Sequence, residues 1–121
     1  MLIAGVAVAG AVGALARYVV DAFVIRRAIR GLPVATLAIN VSGSFVLGLL
    51  TGLALYHALP ATPKTILGTG FCGAYTTFST FTFETVRLAE DDLPGAALRN
   101  TILTTGGGLL AAAAGLALAA L

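Results

Sequence analysis

Long apolar stretches, separated by short polar or proline- and glycine-containing breaks, make up almost the whole chain. Four of these stretches are each long enough to cross a bilayer as a helix, which takes about 20 mostly apolar residues. They cover approximately residues 2–25, 32–56, 65–88 and 96–121. Because the breaks are short, consecutive helices should run antiparallel to one another. The pattern therefore predicts an all-α membrane protein, with one domain of four transmembrane helices.

Composition strengthens the membrane assignment and excludes several other classes. The 121 residues are 59% hydrophobic and only 10% charged, whereas a soluble domain carries about 25% charged residues. The net charge is +2 and the basic residues are spread along the chain, so we expect no binding to nucleic acid. We recognise no nucleophile–base pair, metal-ligand cluster or phosphate loop, and therefore expect no enzymatic activity.

The third stretch contains an unusual segment, GFCGAYTTFSTF, at residues 70–81. Gly70 and Gly73 weaken a helix, while the hydroxyls of Thr76 and Thr77 can bond backbone groups that a break would release. Broken membrane helices often place backbone carbonyls around a cation near the bilayer midplane. The segment therefore predicts a break near the middle of the third helix, where carbonyls could hold a monovalent cation such as sodium.

Two phenylalanines follow this segment on nearly the same helical face. Phe78 and Phe81 stand three residues apart, and an aromatic ring carries a positive edge. Two ring edges facing a small anion could substitute for water without holding the anion as tightly as a full charge. The alternative interpretation is that the two rings only pack in the core.

Polar residues recur at helical spacing on the second and fourth stretches. Thr36, Asn40 and Ser44 are four residues apart on the second stretch, and Asn100 and Thr104 are four apart on the fourth. These side chains could join neighbouring helices by hydrogen bonds. They could instead form a track of uncharged donors, which suits an anion that must pass through and not stay.

Charged residues also fall within the apolar stretches. Arg17 and Asp21 are four residues apart and share a face of the first helix. Arg17 could reach the membrane surface, or it could line a vestibule that attracts anions. Glu84, three residues after Phe81, would need a partner or a proton.

The order of these motifs resembles the Fluc (CrcB) family of fluoride channels along the whole chain. Residues 10–18, with Gly10, Gly13 and Arg17, resemble the first-helix signature, and Asn40–Phe45 resembles the second. The segment 70–81, followed by Glu84, is the most specific part of the resemblance.

The resemblance implies an antiparallel dimer with two fluoride pores in the cell (plasma) membrane of a prokaryote. It implies passive fluoride export that lowers cytoplasmic fluoride, and a structural, untransported sodium ion at the dimer centre. It assigns the sodium to backbone oxygens of Gly73 and Thr76, and the vestibule to Arg17. The fluoride path it implies comprises Phe78, Phe81, Asn40, Thr36 and Thr104.

The dimer partner could be a second copy of the chain or an oppositely oriented paralogue. If the helices alternate in direction, one membrane side carries Arg26, Arg27, Arg30, Arg87 and Arg99, and the other carries Lys64 alone. The positive-inside rule then favours one orientation, whereas a subunit that inserts both ways should show little such bias.

Two other functions compete with the channel interpretation. A small four-helix, proton-coupled multidrug or cation exporter would need a carboxylate near the middle of its first helix. Here that helix offers Asp21, near its end. A non-conducting membrane scaffold would explain the small residues on the helices, but it would not explain the aligned polar and aromatic positions.

Overall fold

The computed structural model of the chain describes residues 1–24 and 32–121. Within these ranges the regular structure is entirely helical. Three helices are long and apolar enough to cross a membrane. They are α1 (Leu2–Val24), α2 (Val34–Tyr56) and α6 (Pro94–Leu118). Between α2 and α6 lie α3 (Ala61–Thr65), a π-helical segment (Ile66–Cys72), α4 (Gly73–Tyr75) and α5 (Phe78–Glu90).

The first, second and fourth predicted stretches each contain one long helix. The predicted end of the first stretch, Ile25, lies outside the described residues. Helix α2 begins after Pro33, which occupies the N-cap position and not the first turn. Helix α6 begins at Pro94, two residues earlier than predicted, since proline is accommodated in a first helical turn.

The third predicted stretch, 65–88, is not one regular helix. Helical backbone begins earlier, at Ala61, and Ile66–Cys72 adopts the wider turns of a π-helix. After Tyr75 the backbone of Thr76 and Thr77 becomes extended, with φ/ψ of −76/159° and −146/119°. The α-helix resumes at Phe78. The interruption thus falls on the two threonines, whereas both glycines lie in helical backbone.

Glycines set the close packing of the helices. Helix α2 packs most extensively on α6, where a Cβ on Gly48 would collide with the backbone of Ala112 and one on Gly115 with the backbone of α2. Helix α1 packs on the π-helical segment, where a Cβ on Gly13 would collide with the Phe71 carbonyl. Such close backbone approach replaces the hydrophobic driving force that lipid does not supply.

Candidate anion site

The side chain of Asn40 binds the backbone at the interruption from the facing helix. Its Nδ2 donates to the Thr77 carbonyl at 2.9 Å, and its Oδ1 accepts from the Thr77 amide at 2.8 Å. The two partners fix which way the Asn40 amide points, since only one orientation satisfies both. In an unbroken α-helix the Thr77 amide would bond to the Gly73 carbonyl. Asn40 on α2 therefore supplies the acceptor that the interruption takes away.

Thr77 starts the next helix. Its Oγ1 accepts from the Thr80 amide at 3.2 Å, and its hydroxyl donates to Thr80 Oγ1 at 2.9 Å. A threonine at this position satisfies one of the free amides of a helix N-terminus. The buried Thr77 consequently uses its backbone to hold Asn40 and its side chain to cap α5.

The interruption leaves the four backbone carbonyls of residues 73–76 without their helical donors, because one helix ends at Tyr75 and the next begins at Phe78. The donor for Gly73 O would be the Thr77 amide, which binds Asn40 instead. The donor for Thr76 O would be the Thr80 amide, which binds Thr77 Oγ1. Arg17 Nη1 reaches the Thr76 carbonyl at 3.4 Å. Gly73 O and Thr76 O, two of these four, are the carbonyls that the family resemblance assigns to sodium, and unwound backbone carbonyls are the donor type that holds sodium in broken membrane helices.

A cavity of about 410 Å³ opens beside the interruption. It brings together four of the five residues predicted on the anion path, which are Asn40, Phe78, Phe81 and Thr104. Ser44, Thr76, Thr77, Thr105, Gly108, Leu109 and Ala112 complete its lining. We refer to it as the ring-lined cavity.

The two phenylalanine rings of this cavity are tilted against each other. Their centroids are 5.9 Å apart and their planes meet at 51°. The Phe78 side chain is 78% exposed, while Phe81 is half-buried. A tilted pair presents ring edges as well as faces, and the edges are the positive part of the aromatic quadrupole.

The fifth residue predicted on the anion path, Thr36, lies in a second cavity of about 350 Å³. Arg17, the predicted vestibule residue, lines the same cavity. Thr36 Oγ1 donates to Glu84 Oε1 at 3.0 Å, so its proton is engaged away from the ring-lined cavity. The other oxygen, Glu84 Oε2, is buried and has no hydrogen-bond partner in the described part of the chain. Thr77 lines both cavities. The stripe that the sequence shows on α2 is therefore divided at the interruption.

Sequence reasoning underestimated Thr77. It was predicted only to bond released backbone groups, whereas its own backbone is the group that Asn40 binds. A signal was present in the residue type, because threonine is among the residues preferred at the N-cap of a helix.

The described fold therefore defines a class of protein. Long apolar helices lie beside cavities that contain a few polar side chains at an interrupted helix, as in multi-pass membrane channels and transporters. The family model described as CrcB-like protein, Camphor Resistance (CrcB), matches residues 4–116. The chain belongs to this family.

Curated relatives cover most of the chain. A fluoride-specific ion channel FluC 1 from Leifsonia xyli subsp. xyli is 54% identical over 98 residues, which are 81% of this chain and 72% of the relative. A fluoride-specific ion channel FluC 2 from Mycobacterium tuberculosis is 45% identical over 111 residues, 92% of this chain and 85% of the relative. A FluC from Methanocaldococcus jannaschii is 43% identical over 105 residues, 87% and 83% of the two chains.

These matches confirm the family that the motifs indicated. They also confirm a multi-pass membrane protein of a prokaryote, in a family of ion channels and not of enzymes.

The Asn40–Thr77 pair can be tested by removing the amide. Asn40→Leu keeps the side-chain size but leaves the Thr77 amide without its acceptor, and an unsatisfied buried group costs about 1–3 kcal/mol. We expect a lower thermal unfolding temperature in detergent and faster hydrogen exchange at the Thr77 amide. Thr51→Val is the matched control, because the Thr51 hydroxyl bonds only to the Leu47 carbonyl of its own helix. Unchanged exchange at Thr77 would show that Asn40 does not hold the interruption.

Proposed function

We propose that this chain is a subunit of a fluoride-specific ion channel, through which fluoride leaves the cytoplasm passively. One observation carries the proposal. Asn40, Phe78, Phe81 and Thr104, which come from three separate helices, line a single cavity. The names of the curated relatives support the same activity.

The chemistry of this cavity suits a small anion in transit. Asn40 Nδ2 carries two hydrogens, and the Thr77 carbonyl takes one of them, which leaves the second for an anion. The tilted rings of Phe78 and Phe81 add positive edges without a formal charge. Binding by uncharged donors and ring edges is strong enough to replace water, yet weak enough to allow release.

We further propose that the helical segments from Ala61 to Glu90 cross the membrane together as one span, interrupted at Thr76 and Thr77. Two such chains would associate as an antiparallel dimer. The exposure of Phe78, at 78%, supports this arrangement, because a partner would then close the outer wall of the ring-lined cavity. Gly73 is also exposed, and little of the chain lies near it.

A structural sodium ion at the centre of this dimer would take the Gly73 and Thr76 carbonyls from each chain. The loss of their helical donors supports the assignment. The ion would neutralise converging carbonyl dipoles and join the two interruptions. Arg17, whose guanidinium reaches the Thr76 carbonyl at 3.4 Å, would attract anions into the adjoining vestibule.

The partner in the dimer is either a second copy or a paralogue of opposite orientation. The arginine bias along the sequence favours a paralogue. Three of the arginines, Arg26, Arg27 and Arg30, lie outside the described residues. If the paralogue is required, this chain expressed alone should not form active antiparallel dimers. Cross-linking and efflux measurements on the purified single chain test this, and active antiparallel dimers in that sample would contradict the need for a paralogue.

An exporter fits the structure less well. Proton-coupled cation export by a small four-helix exporter needs a carboxylate near the middle of the first helix. In α1 the acidic residue is Asp21, which lies three residues before the helix ends and shares its cavity with Arg17.

The ring pair is tested by shortening either ring. In liposomes, wild-type protein should release fluoride while excluding chloride. Phe78→Ile and Phe81→Ile should each slow fluoride release about tenfold, since an aromatic interaction contributes roughly 0.5–1.5 kcal/mol beyond burial. The matched control is Phe83→Ile, on the same helix, whose side chain is 64% exposed and lines no described cavity. Wild-type rates in both variants would assign the rings to packing.

The sodium site is tested at Gly73. A Cβ there would meet only the Gly68 carbonyl oxygen, at 3.9 Å, so Gly73→Ala should fold normally but crowd a central ion. We expect sodium to raise the unfolding temperature of the wild-type dimer above its value in N-methylglucamine, and to do so much less in Gly73→Ala. Gly95→Ala is the control, because a Cβ at Gly95 meets nothing within 4 Å. If the wild-type dimer unfolds at the same temperature in sodium and in N-methylglucamine, the proposal of a structural sodium ion is wrong.

A further inference from the structure

Asn100 is a fully buried amide in an apolar helix. Its exposure is 0%, and it is the one large side chain below 2% in the described ranges. It lies in α6, which is long and apolar enough to cross a membrane. Burying an amide without partners costs about 2–7 kcal/mol, so an aliphatic side chain would be the simpler occupant if the position served packing alone.

Three consecutive hydrogen bonds run through Asn100. The Thr104 hydroxyl donates to Asn100 Oδ1 at 3.3 Å, and Asn100 Nδ2 donates to Thr85 Oγ1 at 2.8 Å. The Thr85 hydroxyl then donates to the Phe81 carbonyl at 2.7 Å. We call these three bonds the Asn100 relay. The bond between Asn100 and Thr85 joins α6 to α5 through side chains, and the last bond ends on the α5 backbone.

The direction of each bond in the relay follows from the one before it. Asn100 Nδ2 can only donate, so it occupies a lone pair of Thr85 Oγ1 and turns the single Thr85 proton elsewhere. The Thr85 hydroxyl donates that proton to the Phe81 carbonyl in a hydrogen bond. The relay ends at the Thr104 hydroxyl and at the backbone carbonyl of Phe81. Both of these residues line the ring-lined cavity, whereas Asn100 and Thr85 do not.

We infer that Asn100 is a positioning residue, which fixes Phe81 and Thr104 relative to each other across the ring-lined cavity. This inference rests on the proposed fluoride conduction. Asn100 acts through its partners, because a side chain with 0% exposure does not meet a passing ion. The distance between a ring edge and a hydroxyl decides how well an anion replaces its water there, so the relay sets selectivity for fluoride over chloride.

The relay also determines what Thr104 offers to an anion. The Thr104 hydroxyl donates its one proton to Asn100 Oδ1. Only the lone pairs of the Thr104 oxygen are therefore available to groups in the cavity. An anion can take the Thr104 proton only by breaking the first bond of the relay. Donation from Thr104 to an anion therefore requires the loss of a buried hydrogen bond. This cost favours a short residence time of the anion beside Thr104.

The test compares relay variants with threonines of the same helices that stand outside the relay. Asn100→Leu removes the central amide, Thr85→Val removes the hydroxyl, and Thr85→Ser retains the hydroxyl. Thr101→Val and Thr82→Val are the matched controls, because the hydroxyls of Thr101 and Thr82 bond only to carbonyls of their own helices. Each protein is checked for a monodisperse dimer and then assayed for fluoride and chloride efflux from liposomes.

We expect the ratio of fluoride to chloride efflux to fall about tenfold in Asn100→Leu and Thr85→Val, the change that corresponds to one lost buried hydrogen bond. Thr85→Ser and both controls should stay within about twofold of wild type. The double variant Asn100→Leu/Thr85→Val should be no worse than its more impaired single variant, because both changes break one unit.

Two results would overturn the inference. If folded Asn100→Leu keeps the wild-type ratio of fluoride to chloride efflux, Asn100 has only a packing role. If Asn100→Leu does not fold, equal ratios in Thr85→Val and Thr85→Ser would have the same meaning. Wild-type protein that releases no fluoride, either alone or co-expressed with an oppositely oriented paralogue, would instead refute the proposed function, so the two failures are distinguishable.

Discussion

The pair of hydrogen bonds between Asn40 and Thr77 is the interaction on which the site depends. A helix within a bilayer can open only where other groups replace its internal hydrogen bonds, because lipid offers none. The side-chain amide of asparagine offers a donor and an acceptor side by side, and these match the C=O and N–H of a backbone residue. Asn40 can therefore bind both backbone groups of Thr77 at once, and the extended backbone at this point is stable without water.

The same interruption gives the chain two different chemistries within a few residues. Before it, Gly73 and Thr76 lose their helical donors and present carbonyl oxygens, the groups that we propose as sodium ligands. After it, the cap at Thr77 restarts the helix and directs Phe78 and Phe81 into a cavity with Asn40. A fixed cation site and an anion path can thus lie side by side, since one uses backbone oxygens and the other uses ring edges and amide hydrogens.

Hydropathy was sufficient to locate α1, α2 and α6, because a long apolar run between polar breaks has few other solutions. It could not show that the third stretch contains a π-helical segment, since one extra residue in a helical turn leaves hydropathy unchanged. Spacing left open whether Thr36 and Asn40 join neighbouring helices or form one polar track. In the structure they line different cavities, and Thr36 donates to Glu84. No helical periodicity reveals that choice, which depends on how two distant segments pack.

The motif at residues 70–81 indicates Phe78, Phe81 and the two carbonyls as candidates. A local sequence cannot reveal that the distant Asn40 binds Thr77 or that Asn100 reaches Thr85. Both are contacts between segments far apart in the sequence, which depend on how the helices pack and not on a local pattern.

The central claim is that this cavity passes fluoride and rejects chloride. It is tested most directly by the reversal potential of currents in a planar bilayer, with fluoride on one side and chloride on the other. The account predicts a potential set by fluoride alone, which shifts with fluoride concentration and not with chloride. A potential that follows both anions would contradict it.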